Sequence, residues 1–253
     1  MITKEQKQKI IYDLLAKNLP LDLLVEIKDH MEEQLEHKID IEEKSFEAAY
    51  EEVKKSWEKD LRMVYAFRLP RKKITILHKK INHKTEKEIL LKSLKYFLPF
   101  LAITLLLSLY SKELTQNIFL VVYSIIGISG IVTAFYFNKI LKTAGQSEKR
   151  NISIYQRGSF LFYFGGLYVF IFNLVNFYER FDRFYRAISD LYFLDFKNFE
   201  FFPIFSTYIF VFFWLFGLFY FLNYRKTIKE LQQKINLNSR NVCFYLIHCI
   251  FTF

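Results

Sequence analysis

The sequence predicts an all-α membrane protein, a four-helix transmembrane bundle with a small three-helix domain at its N-terminal end. Three observations predict it. Four long stretches carry no charged residue, although 25% of the 253 residues are charged. The charges are segregated: residues 1–70 hold 16 of the 26 acids but only 12 of the 36 bases. The first segment is therefore acidic and the remainder strongly basic. Three short amphipathic stripes precede the first uncharged stretch.

Those stripes define the N-terminal domain, residues 1–70. Thr3 and Gln6 have the spacing of a capping box, and Ile10, Leu14 and Leu15 give the first helix its apolar face. Asn18-Leu19-Pro20 breaks the chain. The second helix carries Leu24, Ile27, Met31 and Leu35 on one stripe, with acids around it. Ser45 is a good N-cap for a third helix, whose stripe is Phe46, Ala49, Tyr50, Val53 and Trp57. Three such stripes can close one small core, marginal on its own because a domain this small buries little surface. A basic linker, residues 71–95, follows.

A helix needs roughly 17–25 mostly apolar residues to cross a hydrocarbon core about 30 Å thick. The uncharged runs at 96–111, 114–138, 158–178 and 201–224 meet this, giving spans near 96–111, 117–137, 159–178 and 203–223 within a transmembrane domain of residues 96–224. The first is short, so Lys92, Lys95 and Lys112 must extend their ammonium groups towards the headgroups. Pro99 falls in its first turn, where proline costs a helix little. In the fourth, residues 203–222 contain thirteen Leu, Ile, Val or Phe. At roughly 0.3–0.6 kcal/mol each, insertion is favoured by about 4–8 kcal/mol before polar residues are counted against it.

Between the last two spans, Phe181, Phe184, Tyr185, Ile188 and Leu191 recur at helical spacing, which predicts a helix over 180–196 lying in the membrane interface. Its Arg180, Arg183 and Arg186 have the spacing of an anion site, although snorkelling at the interface explains them more simply. Gly130-x-x-x-Ala134 and Gly165-Gly166 permit close helix approach. Residues 225–253 form a tail.

Orientation follows from the Lys and Arg counts of the loops. The side bearing 71–95, 138–158 and the tail has nineteen, against five on the other side, Lys112, Arg180, Arg183, Arg186 and Lys197. Both termini are therefore expected in the cytoplasm. Tyr110, Tyr136, Tyr178 and Tyr224 fall at segment ends, where aromatic rings favour the interface. The N-terminal stretch lacks the apolar core of a cleaved signal peptide.

No motif of catalysis, nucleotide binding or metal binding is recognisable, so no catalytic, cofactor or metal residue is assigned. Glu26, His30 and Glu33 share one helix face, yet the His-Glu-x-x-His pairing of a zinc hydrolase is absent and solvated ion pairing explains them better. Cys243, His248 and Cys249 are ligand types without zinc-finger spacing. Nucleic acid is excluded as a partner because the bases are not gathered on a soluble domain. Anionic headgroups of the bilayer fit the basic flanks better.

The N-terminal segment resembles the HAAS-type or permease-prefix helical domain that precedes transmembrane regions in bacterial membrane proteins. The resemblance rests on a short first helix, on Glu26-Ile27-Lys28-Asp29-His30 in the second, and on Ser45-Phe46-Glu47-Ala48-Ala49 opening the third. Ser56-Trp57 stands where that family has a small Leu-Gly ending. It covers about residues 3–60 and implies a regulatory or protein-docking role in a bacterial cytoplasmic (inner) membrane.

Ionisable residues are absent from the predicted spans, which disfavours pumps and ion-coupled transporters. The expected function is therefore a non-catalytic sensory, regulatory or accessory protein whose N-terminal domain docks a cytoplasmic protein partner. The alternative is a small permease or channel subunit acting as a homo-oligomer, with Asn173 and Asn176 facing the lumen.

Overall fold

In the computed structural model the chain is helical along most of its described length, residues 2–66, 69–145, 151–168, 174–194, 197 and 199–238. The elements run α1 (Lys4–Leu15), α2 (Leu21–Asp40), α3 (Phe46–Trp57), β1 (Met63–Ala66), β2 (Leu69–Thr75), α4 (Ile76–Tyr110), α5 (Lys112–Tyr136), α6 (Asn138–Gly145), α7 (Gln156–Tyr168), α8 (Phe177–Tyr192) and α9 (Phe201–Asn238). They fall into two compact units. Of the described residues, the first holds those within 2–86, 151–154 and 226–238, the second those within 87–145 and 155–225.

In the first unit the helix starts are where the capping residues place them. Thr3 and Gln6 form the reciprocal capping box of α1, and the Ser45 hydroxyl accepts from the Ala48 amide at the start of α3. The expected stripes are largely buried: Ile10 and Leu14 of α1, Leu24, Ile27, Met31 and Leu35 of α2, and Ala49, Tyr50 and Val53 of α3. Leu15 is 47% exposed, because at about 100° per residue it stands well round the helix from both Ile10 and Leu14, and Phe46 and Trp57 are partly buried against the same core. The core is not closed by three helices alone. Leu61, Leu77 and Ile81 beyond α3 pack onto it, and so does Ile154 from the α6–α7 connection.

Residues 71–95, read from composition as a basic linker, are divided between β2 and the first turns of α4. β1 and β2 pair antiparallel, with Met63 opposite Thr75 and Val64 opposite Ile74. The Thr75 hydroxyl then accepts from the His78 amide at 3.1 Å and starts α4.

The second unit holds the apolar helices. Three helices are long and apolar enough to cross a membrane among the described residues, α4, α5 and the first 34 residues of α9, Phe201–Lys234. α4 has 35 residues, so the short first run is the end of a longer helix, and Pro99 lies in its interior instead of its first turn. Proline has no amide hydrogen, so the Lys95 carbonyl loses its helical donor there. α7 covers the start of the predicted third span, and residues 169–173 lie outside the described residues. The end of that span belongs to α8, which begins at Phe177.

Packing here departs from the soluble rule, with apolar side chains on both the inward and the outward face of α5. The inward face of α5 is Thr115, Phe119, Tyr123, Ile126, Gly127, Gly130 and Thr133, whereas Val121, Ile125, Ile128, Val132 and Phe135 point outward and are 41–79% exposed. Only 17–33% of each apolar window is buried within the protein, leaving faces suited to lipid. The Gly130 seam expected from sequence is formed with α7: a Cβ on Gly166 would lie 2.8 Å from the Gly130 Cα. Gly217 of α9 likewise lies against the backbone of Leu161 and Phe162.

The apolar stripe of α8 is covered by protein. Phe177, Phe181, Phe184 and Ile188 join Phe119, Tyr123, Tyr208 and Val211 in one aromatic core. Edge-to-face pairs such as Phe119 with Phe184, 5.2 Å between centroids, make up much of it.

Candidate functional site

The described residues bring charged side chains together in both units. In the first unit the polar face of α2 is an acidic surface. Asp29, Glu32, Glu33, Glu36, His37 and Asp40, with Lys7 of α1, line an open groove of about 390 Å³. Their spacing of three and four residues puts the acids on one face because the opposite stripe is buried in the core. Lys7 and Lys28 hold the Glu32 carboxylate at 3.3 and 3.0 Å, and Lys234 of α9 reaches Asp29 at 3.1 Å.

Glu26, His30 and Glu33 are not gathered into a metal site. His30 Nδ1 lies 3.8 Å from Glu33, and both side chains are exposed. Among the described residues no group of three His, Cys, Asp or Glu side chains could hold a metal ion. Cys243, His248 and Cys249 lie outside the described residues.

Two clusters in this unit perturb titration. Glu52 is bracketed by Lys38 at 2.8 Å and Lys44 at 2.7 Å, and these hydrogen-bonded ammonium groups draw its carboxyl down to about 2. The buried Tyr50 hydroxyl donates to Asp13 at 2.7 Å, which together with Lys54 at 3.2 Å holds the Asp13 carboxyl below its ordinary value.

Asp22 was not singled out by its sequence context. It sits in the first turn of α2, where Oδ1 accepts from the Leu23 amide at 2.8 Å and Oδ2 from the Ile154 amide at 3.3 Å. The Leu21 and Asp22 amides donate to the carbonyls of Asn151 and Ile152 at 2.9 and 3.1 Å. The α6–α7 connection is thus fastened to the start of α2, whose preceding residue, Pro20, offers no side-chain cap. Burial pushes the Asp22 carboxyl up, against the bonds from Ser153, Leu23 and Ile154 that favour its charged form.

In the second unit the arginines of α8 separate. Arg180 and Arg183 line a cavity of about 120 Å³ with Phe119, Tyr123, Phe177, Phe181, Phe202, Pro203, Ser206 and Thr207, whereas Arg186 is exposed and does not. Arg183 lies 3.5 Å from Glu179 one turn earlier, and Lys112 at the start of α5 pairs with Asp182 at 2.8 Å. Phe119 and Tyr123, on one side of this cavity, come from more than 50 positions away, so local spacing announces only the part contributed by Phe177 and Phe181.

Elsewhere in this unit hydroxyls are used for packing. Thr104 and Tyr208 are joined at 2.9 Å, the Trp214 indole donates to Ser129 at 3.0 Å, and Tyr224 donates to Thr143 at 3.1 Å. The chain matches no family model, no curated protein and no solved structure.

Proposed function

We propose that this chain is a non-catalytic membrane protein of sensory, regulatory or accessory type, in which the acidic face of α2 docks a cytoplasmic partner. The predominantly acidic groove on α2 is the observation that carries the proposal: an excess of one sign favours a partner of the other and steers its approach. The resemblance of residues 3–60 to permease-prefix domains points the same way. On this reading α1–α3 are the small N-terminal domain, α4, α5 and α9 are three of four spans, and α7 lies at the start of the fourth, expected over 159–178. The excess of Lys and Arg on one side then sets both termini in the cytoplasm of a bacterial cell.

The hydroxyls that link α4, α5 and α9 to one another support an anchor over a conduit, since they are engaged in holding the bundle together. The test is reconstitution of the full chain in liposomes beside capture of its partner from membranes. The proposal expects no selective solute flux and a stoichiometric partner that is lost from Glu33→Lys/Glu36→Lys/Asp40→Lys protein. Selective flux from an oligomer contradicts it and favours a permease or channel subunit.

A further inference from the structure

We propose that residues 151–154, in the α6–α7 connection, are a releasable strap that controls the first turn of α2. Pro20 precedes that helix and offers no side-chain cap, so its leading amides need partners from elsewhere. The strap supplies two of them: the Leu21 and Asp22 amides donate to the carbonyls of Asn151 and Ile152 at 2.9 and 3.1 Å. It is held in return by Asp22, whose Oδ2 accepts from the Ile154 amide at 3.3 Å. The Asn151 side chain also donates to the Asn18 carbonyl at 3.3 Å. Ile152 and Ser153 are buried, at 5% and 3% exposure.

Three features let the strap open by itself. The buried core cluster of the first unit is drawn from residues 2–61, and Ile154 of the strap packs against it while only partly buried. Withdrawing the strap thus removes one edge of that core and leaves the rest in contact. Engagement also holds a carboxylate away from water: burial raises the Asp22 carboxyl, so its charged form is kept there at a cost. Finally, the strap belongs to the first unit while α6 and α7 on either side of it belong to the second, so a shift of either flank is passed along the chain to it. Openings that expose few apolar groups lie at the low end of a protein's local unfolding free energies. The result is a relay, in which displacing the connection uncaps α2 and an uncapped first turn frays. The relay concerns the start of α2 and stands whether or not its acidic face docks a partner.

The test uses full-length protein in detergent with Cys243 and Cys249 replaced by Ser. Ser153→Cys puts a single thiol in the buried strap, and Val53→Cys puts one in the core of α3, where exposure is 1%. The strap thiol should react with a maleimide about a hundredfold faster than the core thiol, because it needs only the local opening. Equal rates would overturn the proposal, since the strap would then open only when the whole unit unfolds. Hydrogen exchange of Ile152→Asp reads the consequence for α2, because a carboxylate at that buried position drives the strap into water. Protection of the Leu21 and Asp22 amides should fall about tenfold, the scale of a lost helix cap, with the amides of α3 unchanged. Unchanged protection at Leu21 and Asp22 would contradict control of α2 by the strap. An equal loss throughout α1–α3 would make the strap part of one cooperative core and likewise overturn the proposal.

Discussion

The two units share buried apolar cores but differ in what else lies inside and what lies outside. In the first, Leu, Ile and Met lie inside and the acids and lysines outside; in the second, Val121, Ile125 and Phe135 lie outside while Thr104, Thr115, Thr133 and Gly130 lie inside. Water drives the first arrangement, since burying apolar surface is favourable only when the alternative is wet. Lipid offers no such gain, so close backbone approach, ring packing and hydroxyl links hold the second together.

The largest effect should come from breaking the second unit's closest seam. Gly166→Leu places a side chain against the Gly130 backbone, which cannot rotate away as a side chain would. Overpacking at a backbone contact should cost about 3 kcal/mol or more, read as loss of the monodisperse peak in detergent. Next, one new charge should act in opposite ways on two exposed residues. Ile125→Lys should impair insertion by about 3 kcal/mol, measured as membrane-integrated fraction, whereas Tyr12→Lys, at a site equally open to surroundings, should change stability by no more than about 0.5 kcal/mol. Leu35→Ala and Ile125→Ala sharpen the same contrast: about 2–5 kcal/mol for the fully buried Leu35, and near zero for the outward Ile125.

Acid should discriminate within the first unit. The folded Asp22 carboxyl is raised, so between its ordinary value of 3.8 and the raised value the folded state holds more protons and stability falls as pH rises. Asp22→Asn should therefore melt higher than the parent at neutral pH, and the gap should close as pH falls towards 3.8. Glu52 runs the other way: its contribution is complete above the ordinary 4.5 and is lost as pH falls through about 2. Because Glu52 is exposed, Glu52→Gln should have the smallest effect of all, and moderate salt should erase it.

Legibility followed the range of the interactions. Helix starts at Thr3 and Ser45 and the stripe Leu24, Ile27, Met31 and Leu35 were readable because capping and periodicity act within a turn or two. The long apolar runs were readable because a bilayer demands length and lack of charge, and the Gly130 seam because small residues mark close approach. β1 and β2 were not, since basic residues 71–73 suggested a solvated linker and only pairing with Met63 and Val64 makes the segment a strand. α8 was legible as a helix, but the rings of Phe119 and Tyr208 that cover its stripe lie far away in sequence. The separation of Arg180 and Arg183 from Arg186, and the engagement of Asp22 by residues 153–154, arise from the same long-range packing.

The central claim is that the outward faces of the second unit are in lipid and the first unit is in water. Single-cysteine labelling with a membrane-impermeant maleimide, in full-length protein with Cys243 and Cys249 replaced by Ser, tests it most directly. Ile125→Cys should remain unlabelled in intact and permeabilised cells, Tyr12→Cys should label only after permeabilisation, and Lys112→Cys should label in intact cells. Ready labelling of Ile125→Cys would contradict the account.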